Sequence, residues 1–222
     1  MAVNKEKYTA IKEQLAGSGV TMVAVSKLKP VADILELYAL GHRDFGENYV
    51  QELVDKYGEL PKDIRWHFIG HLQTNKVKYI APFVHLIHSL DSYKLLKEVE
   101  KQGLKNNRMI NVLLQIHIAT EETKFGLSEA ELGDIINELR SNPLKNVLIN
   151  GFMGMASFSE NEVQVNNELG HLRSMYHKHQ QVPFQNFQLQ TLSMGMSDDY
   201  LLAIKNDSNM IRIGSLLFGR RD

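Results

Sequence analysis

A lysine at the end of a short apolar run is the first residue whose type and position could do chemistry. Val23, Ala24, Val25 and Ser26 lead into Lys27, followed by Leu28, Lys29 and Pro30. A buried strand that delivers a lysine to its carboxyl end puts the amine where α/β folds keep reactive groups. There it can lose its proton and attack a carbonyl carbon, forming a Schiff base. The alternative is a lysine that merely steps out of a strand into solvent. Two later loops bear on that choice. Thr191-Leu192-Ser193-Met194-Gly195-Met196-Ser197 follows one apolar run, and Arg212-Ile213-Gly214-Ser215 closes another. Gly195 and Gly214 allow close backbone approach, Ser193, Ser197 and Ser215 supply hydroxyls, and a helix opening at Ser197 adds N–H donors. That is the composition of a phosphate site, although ordinary turns and helix caps use the same residue types. Arg212, close to the end of its run, would bury a guanidinium that needs an acid or a ligand nitrogen or oxygen beside it. A lysine, a phosphate cup and an arginine together suggest pyridoxal 5′-phosphate (PLP). That cofactor requires an aldehyde-binding amine, an anchored phosphate and a partner for its pyridine nitrogen.

Other candidate groups are weaker. His67 with His71 and His85 with His88 lie on strand or loop segments without helical i, i+4 geometry, and no Asp or Glu sits beside them, so no metal is expected. His171, His177 and His179 fall on a polar helix and read as a solvated face. Glu121-Glu122 and Asp198-Asp199 read as helix-start charges that favour the macrodipole. No GxSxG, P-loop or GxGxxG pattern occurs. The absence of cysteine rules out disulfides, thiolate catalysis and cysteine-ligated metals.

The elements that must position these residues alternate regularly. An opening amphipathic helix over 4–16, carrying Tyr8, Ile11 and Leu15, lies within an additional N-terminal segment 1–17 that stops at glycine. Strands are expected at 20–26, 44–46, 66–70, 83–87, 108–118, 147–153, 187–192 and 210–213. Helices are expected at 30–41, 47–57, 92–102, 128–139, 160–179 and 198–205, with a polar segment between 70 and 78 and a short terminal turn. Ser128 with Glu131 three residues on predicts a capping box. Some eight strand–helix units imply a parallel sheet that closes as a single (β/α)8 TIM-type barrel over 1–222. A doubly wound open sheet is the competing architecture. In such a barrel the two glycine–serine loops follow strands seven and eight, the usual phosphate position.

Bulk composition narrows the setting. The chain has 222 residues, 43% hydrophobic and 23% charged, with 25 basic against 26 acidic side chains. That balance points to neither nucleic acid nor membrane. The charged opening residues lack the apolar core of a secretion signal, and a cytoplasmic monomer is the expected state.

With these residues assembled, the chain resembles the pyridoxal-phosphate homeostasis proteins, small single-domain relatives of the N-terminal barrel of alanine racemase. The resemblance rests on AVSKLKP (24–30), FGENYVQE (45–52), WHFIGHLQTNK (66–76), TKFGL (123–127), LSMGMSDD (192–199) and RIGSLLFGRRD (212–222). It implies a PLP barrel of fold type III, with Lys27 holding the cofactor as an internal aldimine. It implies further that Ser193, Gly214 and Ser215 bind the phosphate, that Met194 and Gly195 belong to the cofactor site, that Arg212 faces the pyridine nitrogen and keeps it unprotonated, and that Asn48 and His71 line the pocket. The family usually has threonine where Ser215 stands. It often reads Gly-Leu-Met-Thr-Met-Ala-Pro where this chain has Gly151-Phe152-Met153-Gly154-Met155-Ala156-Ser157, so contacts of that loop are not carried over. The implied role is to bind PLP and keep it and other B6 vitamers in range, with PLP-dependent apo-enzymes as recipients. A racemase needs a second acid/base, which in alanine racemase comes from the partner's second domain. The chain ends after its eighth unit, so little or no turnover is expected. The alternative is a weak PLP-dependent amino-acid racemase.

Overall fold

Apolar runs that alternate with amphipathic segments build a closed parallel barrel of eight strands in chain order, β1 pairing with both β2 and β8. The computed structural model describes residues 3–121, 125–181 and 183–219. The strands are β1 (Thr21–Val25), β2 (Asp44–Glu47), β3 (Arg65–Phe68), β4 (Leu86–Leu90), β5 (Ile110–Gln115), β6 (Val147–Met153), β7 (Phe187–Ser193) and β8 (Met210–Ile213). The helices are α1 (Lys5–Gln14), α2 (Val31–Ala39), α3 (Val50–Glu59), α4 (Val77–Ile80), α5 (Tyr93–Lys105), α6 (Glu129–Ser141), α7 (Glu162–Gln180), α8 (Tyr200–Lys205) and α9 (Ser215–Phe218). The competing open sheet is therefore set aside. No helix among the described residues is long and apolar enough to cross a membrane.

Two apolar layers follow from the period of two along each strand. Outward-facing residues such as Phe45, Phe68, Val112, Phe152 and Ile211 pack beneath the helices in one continuous shell. Val23, Leu86, Leu113, Met153 and Met210 fill the interior as a separate cluster. α1 is capped by Asn4, whose Oδ1 accepts from Lys7 N at 2.9 Å, and buries Tyr8 and Ile11. The Ser128–Glu131 capping box forms as expected.

Among the boundaries that differ from the sequence reading, four have a clear local reason. β4 runs over 86–90 rather than 83–87, because Phe83 leaves the sheet to stack on Tyr57 at 3.8 Å. Glu47 ends β2 instead of opening α3, held there by a buried ion pair. The segment expected as polar coil contains a 3-10 turn (Thr74–Lys76) leading into α4. α8 starts at Tyr200, not at Ser197 or Asp198, since Asp199 Oδ1 accepts from Met196 N at 2.6 Å and keeps the loop turning.

The joint between β7 and β8 differs from the others. Among the described residues these strands pair only at Ser193 and Met210. Backbone bonds from Asn209 N to Leu192 O, Met194 N to Met210 O and Arg212 N to Gly195 O cross the joint. Side chains add to them: Asn209 Oδ1 accepts from Leu192 N at 2.8 Å, Asn209 Nδ2 donates to Gln190 O at 2.7 Å, and Ser208 Oγ donates to Met194 O at 2.7 Å.

Candidate functional site

Because all eight strands are parallel, their carboxyl ends emerge on one rim. Lys27 follows β1, Asn48 follows β2, His71 follows β3, Ser193 closes β7, Arg212 lies in β8, and Gly214 and Ser215 lead into α9. The residues singled out from sequence are thus collected at one end of the barrel.

Lys27 is held through its neighbours. Ser26 Oγ donates to Glu47 Oε1 at 2.6 Å, and Ser26 O accepts from Lys56 Nζ at 2.8 Å. On the other side, Leu28 N donates to Glu52 Oε1 at 2.6 Å. Leu28 has a φ of 59°, a left-handed conformation uncommon for such a side chain, and this bond fixes it. Lys56 Nζ also reaches Glu47 Oε1 at 2.8 Å and Glu52 Oε1 at 2.7 Å, so all three ammonium protons are engaged. Burial pushes the Glu47 carboxyl up to about 7, with Lys56 and Ser26 pulling the other way. Sequence reading missed Ser26, Glu47, Glu52 and Lys56 as a clamp on the lysine loop.

On the opposite side of the rim, Arg212 is buried and sends Nη1 to Ser193 O at 2.9 Å and to Ser193 Oγ at 2.8 Å, and Nη2 to Gly154 O at 3.0 Å. Three of its five N–H donors are taken by oxygens of the chain. No carboxylate among the described residues forms an ion pair with it. Burial brings its guanidinium down to about 10, with Asp199 acting in the opposite sense, so it stays charged at neutral pH. A buried cation without an anion is costly unless a ligand acceptor completes its shell.

The glycine–serine loops lie beside it. Gly195 has a φ of 95°, and a Cβ there would sit 2.6 Å from Ala203 Cβ, so the turn requires glycine. Gly214 N donates to Ser197 Oγ at 3.2 Å, while Ser215 is exposed at the start of α9. Met194 is fully buried in the outer core, and its backbone N–H and C=O are both committed, to Met210 O and Ser208 Oγ. It spaces the loop and offers no polar atom to the rim. Ser193 Oγ is likewise buried, between Arg212 and His88.

Among the described residues, the buried Asn48 Oδ1 has no hydrogen-bond partner. Gly70 presses on its backbone so closely that a Cβ would lie 2.2 Å from Asn48 O. His71 is more peripheral, 45% exposed, with Nδ1 3.2 Å from Asp91 Oδ2 and its ring stacked on Phe125 at 4.5 Å. A groove of about 570 Å³ opens between Asn48, Tyr49, Phe68, His71 and Lys76. The remainder of the TKFGL stretch, Thr123 and Lys124, and the final Arg220, Arg221 and Asp222 lie outside the described residues.

No group of three or more His, Asp or Glu able to hold a metal exists among the described residues. One statement from sequence needs correction: an acid does stand beside the histidines, for Asp44 Oδ1 is 3.1 Å from His67 Nε2. The signal was present as polar residues at inward positions of apolar strands, Asp44, His67 and His88, but their partners lie on other strands.

A rim carrying a lysine loop, a buried arginine and a glycine–serine cup on an eight-stranded barrel defines a class that the comparisons match. Residues 4–222 fit the family model described as alanine racemase, N-terminal domain. The pyridoxal phosphate homeostasis protein of Aquifex aeolicus is 40% identical over 201 residues, covering 90% of this chain and 86% of that one. The corresponding protein of Haemophilus influenzae is 36% identical over 224 residues, covering 99% and 93%. PipY of Synechococcus elongatus, solved with PLP bound, superposes with a TM-score of 0.86 at 34% identity, covering 96% of this chain and 99% of that one. The chain belongs to the pyridoxal phosphate homeostasis protein family.

Proposed function

We propose that this chain binds PLP at the barrel rim, tethers it reversibly through Lys27 Nζ, and serves PLP homeostasis with little or no turnover. The observation that carries the reading is Arg212, a buried guanidinium with donors to spare and no paired carboxylate among the described residues. That environment suits a neutral, unprotonated ring nitrogen as acceptor. The unpartnered Asn48 Oδ1 and the cup of Ser193, Gly195, Gly214 and Ser215 favour the same ligand, as does the PLP found in the similar PipY structure. PLP brings an aldehyde that condenses with amines and a ring that can delocalise charge. Arg212 limits the second property, because a guanidinium holds the ring nitrogen unprotonated where a carboxylic acid would protonate it. Ser215 and the Gly214 amide hold the phosphate once Ser197 yields its hydrogen bond, Asn48 and His71 border the ring, and Met194 sets the spacing of its loop.

The purified protein should be yellow, and borohydride reduction should fix the cofactor on Lys27. Lys27→Ala should remove the covalent band while leaving the fold intact. Identical, noncovalent binding by mutant and wild type would refute the tether. The racemase-like barrel favours one second reading, weak amino-acid racemisation. Steady formation of D-alanine from L-alanine by the loaded protein would replace the carrier assignment. The reading extends to a cytoplasmic monomer that passes PLP or other B6 vitamers to apo-enzymes, tested by size-exclusion chromatography and by reactivation of a PLP-free enzyme.

A further inference from the structure

Inside the barrel, side chains from five strands form an unbroken row that ends on Arg212. At the floor, Arg65 Nε donates to Asp44 Oδ1 at 2.7 Å. Asp44 Oδ1 lies 3.1 Å from His67 Nε2, His67 Nδ1 lies 3.0 Å from His88 Nε2, and His88 Nδ1 lies 3.2 Å from Ser193 Oγ. Ser193 Oγ then meets Arg212 Nη1 at 2.8 Å. His67, His88 and Ser193 are at most 1% exposed, so bulk solvent does not reach them.

Counting protons gives the row one direction. Burial alone would raise the Asp44 carboxyl, but His67 and Arg65 hold it well below the usual range, so it only accepts. From the other end, Arg212 Nη1 can only donate to Ser193 Oγ, so the hydroxyl hydrogen goes to His88 Nδ1, which accepts. The neutral His88 ring then carries its hydrogen on Nε2 and donates to His67 Nδ1, and His67 Nε2 donates to Asp44. Burial keeps His88 neutral, consistent with that count. The Ser193 hydroxyl donates to His88 and uses its lone pairs for Arg212. From Arg212 each hydrogen bond runs towards Asp44, and Arg65 donates to the same carboxylate from the opposite end. The only other titratable ring packed on His67 among the described residues is His85, at 5.4 Å between centroids.

We propose that Asp44, His67 and His88 are positioning residues that lock the Ser193 hydroxyl and, through it, the orientation in which Arg212 presents its remaining N–H donors to the cofactor's ring nitrogen. This rests on the reading that Arg212 faces that nitrogen. A polar row that only stabilised the barrel would change the melting temperature and leave the bound cofactor's spectrum alone.

Two measurements test it. In the PLP-free protein, nitrogen NMR of the imidazoles should show the Nε2–H tautomer at both His67 and His88; an Nδ1–H tautomer at either overturns the direction of the row. In the loaded protein, His88→Leu should displace the PLP absorption maximum and weaken PLP binding about tenfold, the scale of one lost hydrogen bond. His88→Gln, whose amide can accept from Ser193 and donate to His67, should restore both. Asp44→Asn, distant from the rim, should give mixed tautomers and a smaller spectral displacement, and wild-type behaviour there counts against the proposal. Arg212→Gln separates the two claims. If it leaves spectrum and affinity unchanged, the reading of Arg212 fails. If it changes them while His88→Leu does not, the row plays no positioning part.

Discussion

Replacing Lys56 with methionine tests how Lys27 is held. The ammonium group makes three hydrogen bonds, to Ser26 O, Glu47 Oε1 and Glu52 Oε1, and its side chain is 7% exposed against 0% for Glu47. Solvent screening is therefore slight. Removing one partner of such a pair leaves the other charge buried and costs about 3–5 kcal/mol. For a domain of this size each kcal/mol lowers Tm by roughly 2–4 °C, so Lys56→Met should melt roughly 6–20 °C below wild type. Adding Glu47→Gln should recover more than half of that loss, because the stranded charge is gone. The pH dependence has a definite sign. A carboxyl raised to about 7 in the folded state binds more protons there than in the unfolded chain. Its contribution is fully present below the unfolded value and is lost as pH rises through the folded value. Removing Lys56 raises that carboxyl further, so the deficit of Lys56→Met should be small near pH 5 and large near pH 8. Urea midpoints at both pH values measure it. A deficit that is equal at the two, or a double variant no more stable than the single, refutes the reasoning.

Two further substitutions probe the cup. Gly195→Ala forces a Cβ to within 2.6 Å of Ala203 Cβ at a φ of 95°, and should cost about 2–4 kcal/mol in a thermal melt, strain and overpacking together; a change below half of that would show that the loop relaxes. Ser215 is exposed, so Ser215→Ala should leave stability within about 0.5 kcal/mol, yet weaken PLP binding roughly tenfold or more as a hydrogen bond to an anion is lost. Ser215→Thr should bind as wild type, and an alanine variant that binds equally well removes Ser215 from the phosphate site.

The barrel was legible in the sequence because its strands are buried on both faces and read as short apolar runs between amphipathic helices. Lys27, the two glycine–serine loops and Arg212 were legible for a related reason: in parallel topology, strand ends predict a shared rim. What escaped were partnerships across strands. Glu47 read as a helix-opening acid, since its stabilising contacts come from Ser26 on the preceding unit and Lys56 nine residues on. His88 and Ser89 hid the end of β4, because polar residues argue against a buried strand unless their hydrogen bonds are known. Met194 read as part of the cup from its place in the motif, but the backbone turns it into the outer core.

The joint between β7 and β8, where side chains supplement the backbone bonds, borders the same cup, with Ser193 and Gly195 on one side and Gly214 and Ser215 on the other. A phosphate bound there as proposed would span it and act as a clasp on the barrel's last closure. Amides of 192–196 and 210–215 should then exchange with solvent faster in the empty protein than in the loaded one, since ligand binding suppresses local opening. Opening at that joint exposes chain to proteases. Cofactor occupancy would thus be written into the lifetime of the polypeptide, and the amount of this protein in a cell would follow the supply of the molecule it holds.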